Sequence, residues 1–124
     1  MNLNQIILSG VIMLLLDSIY LYTFGSYFNR VVNSIQGTNI NFNIITAILC
    51  YALLIFGLNY FILNQQKSWL EAMFLGLVIY GVYETTNYTI FSKWPRGAVV
   101  LDTLWGGILF TLTTILTRNL LFII

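Results

Sequence analysis

The sequence predicts an all-α integral membrane protein, a single bundle of four transmembrane helices spanning residues 1–124. Composition is the first reason: 59% of residues are hydrophobic and only 7% are charged, where an ordinary soluble domain carries about 25% charged residues. The mean hydropathy is correspondingly high, +0.87. The second reason is length, because four apolar runs reach the roughly 20 residues that a helix needs to cross the hydrocarbon. The third is that the connections are short and polar, which leaves no segment from which a soluble domain could be built.

The first run, Gln5 to Phe28, lacks a basic stretch ahead of it and is too long for a signal-peptide core, so a permanent span is expected. No lipidation motif is read at either end: residue 2 is Asn, and the chain closes on Leu120-Leu121-Phe122-Ile123-Ile124. An Asn-rich connection, Asn29 to Phe42, follows, with Gly37 as its turn residue. The second run, Asn43 to Leu63, carries no charge; Asn59 near its end is its one conspicuous polar residue, and a packing role is expected. Asn64-Gln65-Gln66-Lys67 then leads into the third run, Ser68 to Phe91. Ser92-Lys93-Trp94-Pro95-Arg96 is the third connection, where Pro95 stops the helix and disfavours helical geometry at Trp94. The fourth run is Gly97 to Leu121. Trp94, Trp69 and Tyr60 fall near span ends, where amphipathic aromatics belong at the membrane–water interface.

Orientation is weakly specified. Arg30, Lys93 and Arg96 flank one face and Lys67 and Arg118 the other, so the positive-inside rule favours cytoplasmic first and third connections by three side chains to two. Arg30, Lys93 and Arg96 are expected to snorkel to lipid phosphates. So thin a margin leaves room for dual insertion and an antiparallel dimer.

Against this apolar background, Asp17, Glu84 and Asp102 each lie inside a span. An acid at mid-bilayer costs about 2.5–3.5 kcal/mol on insertion scales, so such residues face a protein interior. Glu84 precedes Ser92 by eight residues, about 12 Å along a helix, and Asp102 follows Gly97 by five, about 8 Å from the same face. A tight hairpin of the third and fourth spans can therefore bring the two together. Asp17, eleven residues before Phe28, lies about 16 Å below that face.

Helical spacing puts partners beside each acid: Tyr80, Asn87, Tyr88 and Phe91 with Glu84; Trp105, Gly106 and Leu109 with Asp102; Gly10, Leu14, Tyr20 and Phe24 with Asp17. Gly76, Gly81, Gly106 and Gly107 would allow close backbone approach. The candidate ligand- or proton-binding residues are Asp17, Glu84, Asp102, Asn87, Tyr80, Tyr88 and Trp105. Desolvation and mutual repulsion favour sharing a proton among such acids, and the same oxygens can hold a cation or grip a polyhydroxyl ligand. The competing structural reading has the acids protonated and bonding helices together, at about 0.6 kcal/mol per interhelical bond. For Asn87 and the tyrosines taken alone, packing is the expected role.

Other features are explained locally. Glu71 is placed to pair with Lys67 at i+4 or to favour the helix start by its charge. Asn87-Tyr88-Thr89 matches a glycosylation sequon but at a depth that argues against modification. Cys50 is the single cysteine, so no intrachain disulfide is possible.

Absences exclude function classes. With no His, histidine-cluster metal centres, His-type zinc sites and His-based catalytic triads are ruled out. No P-loop and no TVGYG-type filter occur. A net charge of +1 without a basic stripe argues against nucleic acid as a partner. No cofactor is expected. A carboxylate-only Mg²⁺ or Ca²⁺ site stays chemically allowed, the metal is unassigned, and catalytic residues cannot be named.

The run Gly81-Val82-Tyr83-Glu84-Thr85-Thr86-Asn87-Tyr88, then Lys93-Trp94-Pro95, then Leu101-Asp102-Thr103-Leu104-Trp105-Gly106-Gly107 resembles the domain-of-unknown-function family 2177 of small bacterial membrane proteins. Asp17-Ser18-Ile19-Tyr20-Leu21 and Tyr27-Phe28 fit that family's first span. Tyr20 stands where a Trp is common, and Glu84 where Asp is, so the chemical class is kept while the acid's reach changes. The resemblance implies four spans with three acids at matching positions and no assigned activity. Its members' frequent proximity to lipid-modifying genes, such as those of cyclopropane fatty acid synthases, points toward lipid metabolism.

Three functions fit these readings. The first is a small, oligomeric transport protein that binds or moves a proton, a cation or a small polar ligand. The second is a lipid-metabolism enzyme or accessory factor. The third is a structural or membrane-organising subunit. The expected partners are the lipid bilayer and further copies of the chain or a larger membrane complex.

Overall fold

A computed structural model describes residues 2–123, which form four helices. α1 is Leu3–Gln36, α2 is Ile44–Leu58 continued by a π-helical turn Asn59–Leu63, α3 is Trp69–Ile90 and α4 is Arg96–Ile123. Three of them are long and apolar enough to cross a membrane: Leu3–Gln36, Ile44–Leu63 and Arg96–Ile123. The expectation of four spans is thus modified at α3. Its 22 residues suffice in length, but Glu71 and the polar run Glu84 to Thr89 dilute its apolar character. That dilution is what brings polar groups into the bundle.

Helix ends follow local chemistry. Asn2 caps α1, its side chain accepting from the Asn4 amide at 2.8 Å. α1 runs eight residues beyond the expected end at Phe28, to Gln36, and stops at Gly37, whose φ of 78° few residues but glycine adopt. The polar side chains read as a loop instead latch the returning strand of chain. Asn29 Oδ1 accepts from the Ile40 amide at 2.9 Å, and Asn33 Nδ2 donates to Asn39 Oδ1 at 3.0 Å. Asn43 caps α2. Ser68 and Glu71 form a capping box at the start of α3, so Glu71 serves the helix start. Pro95 precedes the first residue of α4, where its missing N–H costs nothing.

α3 and α4 form the closest pair, packed through glycines. A Cβ on Gly76 would lie 2.1 Å from the Gly106 carbonyl oxygen, and one on Gly106 would strike the Tyr80 ring at 2.4 Å. Gly81 is different: its Cβ would meet Thr103 at an ordinary 3.4 Å. α4 also packs on α1, and α1 on α2. The core is built by Met13, Leu58, Leu109 and Phe110, all 0% exposed, with Leu54, Ile62, Leu63 and Ala72 around them. Ile62 and Leu63 close α2 onto the start of α3 near the Asn64–Lys67 turn. Farther along, the α2–α3 seam opens.

Candidate functional site

An acid followed three residues later by an aromatic is shared by α1 and α4, as Asp17 with Tyr20 and Asp102 with Trp105. One helical turn separates the members of each pair, and the two helices run in opposite directions, so each acid meets the other helix's aromatic. Trp105 Nε1 donates to Asp17 Oδ1 at 2.9 Å, and Tyr20 OH donates to Asp102 Oδ1 at 2.9 Å. The two rings stack between the acids with centroids 4.6 Å apart and planes within 1°. This reciprocal brace holds both carboxyls inside the bundle, at 6% and 9% exposure.

The string continues in both directions. Tyr51 of α2 donates its hydroxyl to Asp17 Oδ2, so the second span, expected only to pack, supplies a donor to the site. On the other side, the Glu84 carboxyl of α3 neighbours the Asp102 carboxyl. Glu84 is 1% exposed; its Oε1 accepts from Trp94 Nε1 at 2.8 Å and its Oε2 has no partner among the described residues. Two neighbouring carboxyls need a proton between them, since two ionised ones repel. Four neutral donors, two phenols and two indoles, thus hold three acids in a row. The acids are strung out and do not converge: among the described residues, no group of three or more Asp, Glu, Cys or His side chains is arranged to hold a metal ion.

Trp94 departs from its expected place at the membrane interface. It is buried, packed with Val31 and Ala98, because its indole N–H is drawn inward by Glu84. Trp69 and Tyr60, at 50% and 44% exposure, lie on the surface. Tyr80 flanks the acids and packs over Gly106. Asn87 is buried next to the turn carrying Glu84, with its Nδ2 unpartnered. Tyr88 stands apart at 45% exposure, its hydroxyl accepting from Arg96 Nε at 3.2 Å.

The open seam between α2 and α3 makes a cleft of about 540 Å³ that reaches Asp17 and Asp102 at its floor. Leu21, Ala47, Leu54 and Ile79 line it together with Tyr51, Tyr80 and Tyr83, and Phe42 and Cys50 lie along its edge. Two of these residues are well exposed, Phe42 of the α1–α2 connection at 70% and Tyr83 of α3 at 57%. Toward the opposite face the cleft is stopped by the dry layer of Met13, Leu58, Leu109 and Phe110. Beyond that layer Asn59 Nδ2 donates to Ser9 Oγ at 2.9 Å and to the Ile55 carbonyl at 2.8 Å. The π turn that begins at Asn59 thus accompanies an amide satisfied within the bundle.

A family model described as "Predicted membrane protein (DUF2177)" matches residues 2–118, nearly the whole chain. No curated protein and no solved structure matches it.

Proposed function

For a chain that belongs to this family of predicted membrane proteins and is itself an integral, multi-pass membrane protein, we propose a transport-type role. The string Asp17–Asp102–Glu84 binds a proton and exchanges it for a cation or small polar ligand inside the membrane. The observation that carries this reading is the row of three buried acids held only by neutral donors, two phenols and two indoles. Where no lysine or arginine pairs with such acids, a mobile proton or an incoming cation is the natural counter-charge.

The access geometry supports one mode of movement. The cleft reaches the acids from one side, and the Met13–Leu58–Leu109–Phe110 layer closes the other. That favours alternating access over an open pore. Passage requires the bundle to close over the α2–α3 seam and part at the dry layer, an alternation of access around a fixed site.

Proteoliposomes carrying an internal pH dye test this. Under an imposed gradient, the wild-type protein should carry proton flux above that of empty liposomes, and Asp102→Asn or Glu84→Gln should abolish it. Flux indistinguishable from empty liposomes, or unchanged in both variants, contradicts the proposal. The alternative role of the acids as internal braces draws on Asp17, both of whose oxygens are already satisfied; under that reading the amide variants carry no flux defect because there is no flux to lose.

A further inference from the structure

The walls of the cleft restrict what its acids can receive. We infer that the cleft between α2 and α3 takes a hydrophobic organic cation that enters sideways from the bilayer. This rests on the acid string being a binding site, and it names the substrate class of that site.

Four features select this chemistry. The floor is anionic or proton-sharing, with Asp17 and Asp102 the acids that line the cleft, so an anion is repelled. The walls are apolar, through Leu21, Leu54 and Ile79, so a small hydrated metal ion would shed its water against surfaces that offer nothing in return. Three phenol rings, Tyr51, Tyr80 and Tyr83, and the ring of Phe42 line the same space, and aromatic faces attract delocalised or quaternary cations. The volume, about 540 Å³, lies within the range of roughly 300–1,000 Å³ typical of sites for drug-sized molecules. A neutral lipid chain would fill the walls and leave the carboxyls without a counter-charge. The mouth, edged by exposed Leu21 of α1, Tyr83 of α3 and Phe42 of the α1–α2 connection, opens where a lipid-soluble ligand concentrates.

Binding would displace the shared proton. The titratable groups that face Asp17 and Asp102 are Tyr20 from α1, Cys50 and Tyr51 from α2, and Tyr80 and Glu84 from α3. With Glu84 neighbouring Asp102, a cation that enters beside Asp102 replaces the proton as the charge that offsets the pair.

The test uses the full chain in phosphatidylcholine nanodiscs and calorimetric titration with tetraphenylphosphonium, in two buffers of different ionisation enthalpy so that released protons are counted. Triphenylphosphine oxide is the neutral comparison. The expected result is saturable binding of the cation with proton release, weakened about tenfold or more, equivalent to about 1.4 kcal/mol, by Asp17→Asn and by Asp102→Asn. Ala47→Phe, which fills the cleft without touching an acid, should weaken it comparably, so that a misfolded acid variant does not decide the outcome alone. The inference is overturned if the phosphine oxide binds as tightly as the cation, if all three substitutions leave affinity unchanged, or if the cation does not bind. Failure to bind alongside acid-dependent proton flux in liposomes removes the cation and leaves the proton site standing. Binding without flux keeps the inference and removes translocation.

Discussion

A carboxyl oxygen shielded from water must find its donor within the protein, and for Glu84 Oε1 that donor is the Trp94 indole N–H at 2.8 Å. Trp94→Phe keeps most of the ring and deletes the donor, leaving a buried oxygen unsatisfied. The expected cost is about 1–3 kcal/mol in reversible unfolding by denaturing detergent. The same substitution made in a Glu84→Met background should cost clearly less, since the two residues share one interaction; equal costs in both backgrounds would mean that Trp94 contributes only its bulk. Helical spacing set Trp105 beside Asp102 and Tyr20 beside Asp17, whereas each donates to the other helix's acid; the acids themselves were legible in the sequence, because an intramembrane charge has few innocent explanations. Trp94 and Tyr51 were not. A Trp beside a Pro in a basic connection is the usual signature of an interface anchor, and a lone Tyr on an uncharged span looks like packing. Each becomes a donor only through contacts across 10 and 34 residues of chain, which no local pattern encodes. Tyr88 shows the converse, sharing the stripe of Glu84 yet turning out to Arg96.

At the scale of elements, α3 and α4 approach most closely at Gly76, Gly106 and Gly107, where an added Cβ would lie under 3.0 Å from the facing helix. Gly76→Ala puts a methyl group against a backbone carbonyl that cannot move aside, with an expected loss of about 1–3 kcal/mol. Gly81→Ala meets only the Thr103 methyl at van der Waals distance and should be close to neutral. A detergent-unfolding series that ranks the two in the opposite order would contradict this packing. The four helices and the proline break follow directly from apolar runs and punctuation. The end of α1 does not, since Asn-rich polarity suggested a loop from Asn29, whereas those amides extend the helix and tie Asn39 and Ile40 to it. Gly37 was the better stop signal, for it supplies the left-handed cap that the helix end requires.

Across the whole molecule, basic charge is confined to the ends. Arg118 donates a guanidinium hydrogen to the Lys67 carbonyl at one end, while Arg30, Lys93 and Arg96 lie toward the other. With three basic side chains against two, two lysines added by Asn64→Lys and Gln65→Lys should shift insertion toward the reverse orientation. Labelling of single cysteines in both connections by an impermeant reagent, in a Cys50→Ser background, reads this out, and unchanged labelling would show that something other than loop charge sets topology. Between those ends the α2–α3 seam opens onto a polar string that crosses from α2 through α1 and α4 to α3. The central claim is that Glu84 and Asp102, neighbours in this string, share a proton.

Thermal stability of the purified protein across pH measures that claim most directly, with wild type set against Asp17→Asn, Glu84→Gln and Asp102→Asn. Stripping the proton shared by Glu84 and Asp102 leaves two neighbouring carboxylates, so wild-type stability should fall at the alkaline end of the profile. Each single substitution should remove that step, because the string loses either one acid of the pair or the brace that fixes it. A flat wild-type profile, with the amide variants as stable or more so, would show that the acids only fasten helices together and would contradict the account.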